Sequence, residues 1–286
     1  MKRLIGWLGR ATSYLLFCAP SVVRSALAYS LAFLWFDLFR IRRKVVLENL
    51  RTAFPEKSEI ERVRIARQSL RNLGLNFVEY SFLPWLNDGN VDRYFEFHGL
   101  DLLDAALEKK RGALLLTLHL GHGDLATAAL AIKGYPMVVV SKAFKMQWLN
   151  DLWFGMREKV GVRFVPARNS SYALLKALKN NSAVAIPLDQ FTGPPIGVRT
   201  TFFGKETGTA AGLAVMGARS KATVVSVYTI RQDDGKHAIY FCREMPNDGP
   251  AERVTQSFND ELESFVRRCP EQWMWLHRRW KKFVVQ

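Results

Sequence analysis

From about residue 91 onward the chain alternates short β-like apolar runs with helical stretches, and this alternation limits the fold more than any other feature. Ala113–Leu118, Met137–Val140, Val162–Val165, Ala183–Leu188, Thr223–Ile230 and Ala238–Cys242 read as strands. Asp124–Lys133, Gln147–Val160, Tyr172–Lys179 and Thr209–Ser220 read as helices between several of them. Parallel neighbours in a sheet need a long crossover, which a helix supplies. The predicted class is therefore α/β: a mixed, largely parallel sheet flanked by helices, with an N-terminal helical membrane-associating segment. Before the alternation, Ser58–Tyr80 carries apolar residues at helical spacing, and Ser58 with Glu61 forms a capping-box pattern at its start.

The N-terminal segment is mostly apolar from Ala11 to Phe39, but Arg24 and Pro20 interrupt it. Each uninterrupted piece is shorter than the ~20 apolar residues of a spanning helix. Nor does a cleavage-site pattern follow a single apolar run, so a cleaved signal peptide is not expected. Aromatic-rich Phe33–Phe39 precedes the basic RIRRKVV at Arg40–Val46, and rings beside cations suit a bilayer interface. The segment is read as a membrane-surface anchor, with or without one tilted span, and its trailing cations would hold the remainder on the cytoplasmic side. Residues 1–51 are thus set apart as apolar and basic anchoring helices. Residues 52–286 are read as the α/β unit, ending in a basic C-terminal helix.

Charge narrows the partners. The chain has 41 Lys and Arg against 26 Asp and Glu, a net +15. Nine of the basic residues lie in 1–51 and six in 267–282. Clustering at both ends predicts an anionic partner: anionic lipid, an acidic carrier protein or nucleic acid. No nucleic-acid-binding motif is present, so nucleic acid is set aside. The three cysteines (Cys18, Cys242, Cys269) show no zinc-type spacing and read as reduced.

Chemistry concentrates where the first strand of the alternation ends, in LHLGHGD. His119, His122 and Asp124 fall within six residues, in a chain with only five histidines. Functional groups in open α/β sheets gather beyond the carboxyl ends of strands. Asp124, in the first turn of the next helix, is favoured there by the helix dipole. Folded back through Gly121 and Gly123, its carboxylate would orient His119, leaving the other ring nitrogen to take a proton from a substrate hydroxyl. No protein nucleophile is then needed. Two alternatives remain at this point: a metal site on His119, His122 and Asp124, and histidines that merely satisfy a loop. The spacing HxxHxD departs from the HxHxD of metallo-hydrolases, and no metal is expected. His122 is read as a local, cap-like neighbour. Asp189 and Gln190 end another strand candidate and either position polar substrate groups or simply terminate the strand. Arg199 and Lys205 bracket a loop and either receive phosphate or stay solvated.

His119-x4-Asp124 after an apolar strand resembles the HX4D motif of the glycerolipid (lysophospholipid) acyltransferase superfamily. LDQFTGPPIGVRTTFFGKETGTAAGLAVMGARSKATVVSVY (Leu188–Tyr228) and CPEQWMWLHRRWKK (Cys269–Lys282) resemble signatures of its lipid A late acyltransferase branch, the lauroyl/myristoyl transferases. KVVLENLRTAFPE (Lys44–Glu56) and Asn72–Gly74 fit the same branch. Many relatives carry glutamate where Asp124 stands, and either carboxylate can orient a base. The resemblance implies transfer of a fatty acyl group from acyl carrier protein to a hydroxyl of a lipid A precursor at the inner membrane, with the catalytic unit facing the cytoplasm. It implies no cofactor. It makes His119 and Asp124 catalytic, and it matches Arg157 to an arginine near the active site; from its own setting Arg157 would read as a helix-surface residue. Substrate-binding candidates are then Arg157, Asp189, Gln190, Arg199 and Lys205. Competing expectations are acylation of a lysophospholipid, another glycolipid or an aminolipid, and a non-catalytic basic membrane-binding protein.

Overall fold

The computed structural model of the protein describes residues 2–142, 145–166 and 170–284. Four helices come first: α1 (Lys2–Cys18), α2 (Ser21–Ala32), α3 (Arg43–Ala53) and α4 (Glu59–Glu79), with a π-helical turn at Phe33–Leu38 continuing α2. α4 starts where the capping pattern puts it. The Ser58 hydroxyl accepts from the Glu61 N–H, and the Glu61 carboxylate accepts from the Ser58 N–H, so two donors open at a helix start are satisfied together. α2 lies against α4 because Gly74 has no side chain; a Cβ there would stand 2.8 Å from the Ala28 carbonyl oxygen. Ala32, Phe36, Val46 and Leu50 are buried in the same apolar cluster as Leu114 and Leu116 of the sheet. The segment from Ala32 to Leu50 therefore shares a core with the rest of the chain.

The alternation follows as β1 (Phe95–His98), α5 (Asp101–Glu108), β2 (Ala113–Thr117), α6 (Gly123–Ile132), β3 (Met137–Ser141), α7 (Gln147–Glu158), β4 (Arg163–Pro166), α8 (Ser171–Lys179) and β5 (Ala183–Pro187). It continues with β6 (Gly197–Phe202), β7 (Lys205–Ala210), α9 (Gly212–Ser220), β8 (Thr223–Arg231), β9 (His237–Met245) and α10 (Ala251–Arg268). Seven strands form one sheet in the order β1-β9-β8-β2-β5-β3-β4. Its pairs are all parallel except β8–β9, as crossover helices require. The sheet is covered on both faces: Leu114 and Leu116 enter one apolar cluster, Ala113 and Leu115 the other. That two-sided burial is why β2 reads as an unbroken apolar run.

Two expectations need correcting. Thr209–Ser220 is not one helix. Lys205–Ala210 is β7, paired antiparallel with β6, and the helix begins only at Gly212. Thr207 and Thr209 are buried, and β-branched residues on alternate positions favour a strand over the helix that the small residues suggested. Nor is there a basic C-terminal helix at 269–282. The last helix, α10, ends at Arg268; a 3-10 turn at Pro270–Gln272 follows, and the chain then runs irregularly. Pro270 cannot continue the helical ladder. Trp273 and Trp275 are both buried with Met274 less so between them, an alternation of extended rather than helical chain.

A buried polar cluster ties α4 to the antiparallel strands. Glu79 accepts from Arg231 Nη1 and pairs with His237 Nε2 at 3.1 Å, while Arg231 Nη2 donates to Asn76 Oδ1 at 2.8 Å. Burial pushes the Glu79 carboxyl up, but His237 and Arg231 outweigh it and bring it down to about 2 from an ordinary 4.5. A carboxyl depressed on folding adds stability that is complete above its unfolded value. That stability is lost as pH falls from about 4.5 towards 2, at about 1.4 kcal/mol per unit. Glu79→Gln is expected to lower the melting temperature near neutral pH, because Arg231 loses its buried counter-charge. It should also flatten the acid-side decline in melting temperature between pH 5 and 3, which thermal unfolding across pH will show.

Candidate active site

Sheet register brings the site together. In the parallel pair β2–β5, Thr117 stands opposite Pro187, and the Leu188 N–H still donates to the Thr117 carbonyl at 3.0 Å. Continuing each chain past its strand end places His119 beside Asp189. His119 Nδ1 lies 2.8 Å from Asp189 Oδ1, and the His119 backbone N–H donates to Asp189 Oδ2 at 3.0 Å. Asp189 is 2% exposed, whereas the His119 side chain is 36% exposed and lines a cavity of about 330 Å³. The ring is thus held from one edge and open to a reactant on the other.

The orienting carboxylate expected from sequence was Asp124; the one bonded to the ring is Asp189. Asp124 points instead to Arg157, whose Nη2 stands 2.9 Å from Asp124 Oδ2. The reason is topological. β5 runs beside β2, so its exit loop meets the His119 ring directly, while the first turn of α6 faces α7. Arg157 is buried, with its guanidinium over the rings of Tyr80 and Phe164. It is no surface residue, and it lines the same cavity as His119 and Asp124.

Electrostatics suit a base. Burial pushes the His119 imidazole down, but the Asp189 carboxylate, aided by Asp124, outweighs it and holds the ring above its ordinary 6.5. Asp189 itself is driven well below the usual carboxylate range by His119 and Trp273, against the opposing effect of burial. Burial pushes the Asp124 carboxyl up to about 6 while His119 pulls it down. Burial brings Arg157 down to about 9, still cationic near neutral pH.

His122 serves the loop. Its Nδ1 accepts from the Leu125 N–H at 3.4 Å, capping α6, and its Nε2 meets the Asn76 carbonyl at 3.0 Å. Both ring nitrogens are committed, so His122 cannot complete a metal set with His119 and Asp124. Among the described residues no three His, Cys, Asp or Glu side chains converge as metal ligands. Gln190 is exposed and lies outside the cavity lining, and its carbonyl accepts from Arg279 Nη1 at 2.9 Å. Arg199 and Lys205 also lie away from the cavity, on the β6–β7 ribbon, where Arg199 pairs with Glu206 at 2.6 Å. The ribbon is a separate sheet and does not share the register that assembles the site.

Contacts beyond the candidate site residues of the sequence fix the turn. Met274 N–H donates to the His119 carbonyl at 3.0 Å and Gly121 N–H to the Gln272 carbonyl at 3.1 Å, with Leu120 and Trp273 bridged antiparallel. Asn76 Nδ2 donates to the Gly121 carbonyl at 2.6 Å. Asn49 and Asn72 hold the same C-terminal segment, through the Trp275, His277 and Glu271 carbonyls. Their sequence signal was the family-like stretches Lys44–Glu56, Asn72–Gly74 and Cys269–Lys282, which mark these residues without telling what they pack on. Gly121 has φ +59°, and a Cβ there would fall 2.2 Å from the Thr229 carbonyl oxygen. Gly121→Ala is therefore expected to cost at least about 1–3 kcal/mol from the backbone conformation alone. It should lower the melting temperature by roughly 2–4 °C per kcal/mol and displace His119, measurable by calorimetry.

Comparison with known proteins shows the family. The family model for bacterial lipid A biosynthesis acyltransferases matches residues 1–282. The chain is 25% identical to the lipid A biosynthesis palmitoleoyltransferase of Escherichia coli (strain K12), over 96% of this chain and 90% of that protein. It is 27% identical to the lipid A biosynthesis lauroyltransferase of the same strain, with the same coverage. A phosphatidylinositol mannoside acyltransferase of Mycolicibacterium smegmatis (strain ATCC 700084 / mc(2)155) is 24% identical, over 76% of this chain and 72% of that protein. With a match along almost the whole chain, this protein belongs to the bacterial lipid A biosynthesis acyltransferase family and is an acyltransferase.

Proposed function

We propose that the protein transfers a fatty acyl chain from an acyl-carrier-protein thioester to a hydroxyl of a lipid A precursor, with His119 as general base. The observation that carries this reading is the His119–Asp189 pair at a largely apolar cavity. Leu115, Ala126, Leu130, Val139, Val227 and Ile239 line that cavity, a setting for a hydrocarbon chain. Asp189 holds the Nδ1–H tautomer, and Nε2 takes the proton of the acceptor hydroxyl. The oxygen then forms the new ester bond to the thioester carbonyl carbon. As the intermediate collapses the carbon–sulfur bond breaks, and the imidazolium returns the proton to the leaving thiolate. Arg157, fixed by Asp124, is the one Lys or Arg among the described residues lining the cavity, and it supplies positive charge where the carbonyl oxygen becomes an oxyanion. The net +15 charge supports an acidic carrier protein and a phosphorylated acceptor.

The N-terminal helices support a site of action at the inner membrane, with the catalytic unit on the cytoplasmic side. Ser21–Leu38 is long and apolar enough to cross a bilayer but is only 17% buried. Val22, Leu27, Leu31, Trp35 and Leu38 are exposed on it, as is Phe39 just after it, followed by the cations of Arg40–Lys44. Binding to anionic vesicles should fall in a Trp35→Ser/Phe39→Ser variant, read by flotation; undiminished binding would place the contact elsewhere.

The deciding assay supplies lauroyl- or myristoyl-carrier protein and a tetra- or penta-acylated lipid A precursor, with mass spectrometry of the product. His119→Ala is expected to lose activity while staying folded, and survival of activity would refute the base assignment. Product only with a lysophospholipid or another glycolipid would reassign the acceptor. Asp189→Asn should lower kcat/KM by on the order of 10²–10⁴. Because His119 must be neutral to act and Asp189 raises it, the acidic limb of the pH profile should move to lower pH in that variant.

A further inference from the structure

Asp189 accepts three donors. Its Oδ1 faces His119 Nδ1; its Oδ2 takes the His119 backbone N–H and, at 2.7 Å, the indole N–H of Trp273. Trp273 is 2% exposed and cannot turn away. Its backbone is bridged to Leu120, and its ring stands edge-on to Trp275 with centroids 4.5 Å apart. The preceding residue is clamped by β8: Gln272 Oε1 accepts from the Arg231 N–H at 2.7 Å, and Gln272 Nε2 donates to the Arg231 carbonyl at 2.8 Å.

We propose that Trp273 is a positioning residue for acyl transfer. Acting through Asp189, its indole N–H fixes the carboxylate against the His119 ring and sets how strongly that ring holds a proton. The inference rests on His119 being the base. Its physics is a competition for one anion. When the ring is neutral, the carboxylate's charge is uncompensated and the indole bond is at its strongest, as hydrogen bonds to ions are. When the ring is protonated, the imidazolium compensates the charge and the indole bond weakens. The donor therefore favours the neutral, competent base, and without it the buried carboxylate would hold His119 protonated to higher pH. The other charged and titratable groups around the pair are Asp124 on α6, Arg157 on α7, and His277, Arg279 and Lys281 in the C-terminal segment. The indole nitrogen bonds Asp189 and none of these groups.

The test reads His119 directly, without substrate. Full-length protein in detergent is treated with diethyl pyrocarbonate across pH, and peptide mass spectrometry gives the midpoint for carbethoxylation of His119. Asp189→Asn should lower that midpoint, which checks that the readout senses the pair. Trp273→Phe should raise it by about 0.5–1 unit, a threefold to tenfold rise in proton affinity. So should 3-benzothienylalanine incorporated at position 273, an isostere with sulfur in place of N–H, which answers the question if the phenylalanine variant does not fold. In the transfer assay the same variants should lose kcat near neutral pH and regain it at higher pH, with KM unchanged to within about twofold. A midpoint that is unchanged or lowered in the isostere overturns the proposal and leaves Trp273 a packing residue. Absence of any acyl transfer by the wild type would fail the functional reading alone, since the midpoints are measured regardless.

Discussion

A single buried carboxylate, Asp189, joins the parts of this protein that act together. It sits at the end of β5, binds both the backbone and the ring of His119 from the end of β2, and receives the indole of Trp273 from the C-terminal segment. An ionised carboxylate removed from water is costly unless its oxygens are hydrogen-bonded. The strand register, the turn at Gly121 and the path of the C-terminal chain are all consistent with supplying those bonds.

That requirement explains why the end of the chain is threaded as it is. Residues 272–274 pair with the His119–Gly121 turn, and Asn49 and Asn72 hold the neighbouring carbonyls from α3 and α4. Farther on, Arg279 is buried, and among the described residues no carboxylate pairs with it directly. It donates instead to the Gln190 and Gly208 carbonyls, Thr209 Oγ1 and Asn259 Oδ1. Burial brings its guanidinium down to about 10, so it stays charged near neutral pH while fastening the loop after Asp189 to the ribbon and α10. The segment predicted as a basic helix is thus a strap whose cations are partly internal.

The division of labour between the two acidic residues follows the same geometry. Asp189 has a neutral partner in His119 whenever the base is competent, and so acts on tautomer and proton affinity. Asp124 is matched to a permanent cation, Arg157, and so holds a positive charge in the cavity. Both roles need a carboxylate near His119, which is why a motif spaced by four residues points to the right place while leaving the ring's actual partner undetermined.

Local sequence settled what local physics controls. The apolar runs from Ala113 to Cys242 marked six strands, Ser58 with Glu61 marked the start of α4, and the end of the first run marked the catalytic turn. Strand class follows from which residues suit a sheet covered on both faces, and helix starts follow from bonds within one turn. Tertiary structure alone decided that β5 lies beside β2, so that Asp189 rather than Asp124 meets the ring. It also decided that Arg157 is buried, that Arg199 and Lys205 stand outside the cavity, and that Trp273 aims its N–H at the carboxylate. These depend on strand order and on contacts between distant segments, 70 positions apart for His119 and Asp189 and 84 for Trp273 and Asp189. Within one sequence, no local propensity records which of several equivalent strands becomes a neighbour.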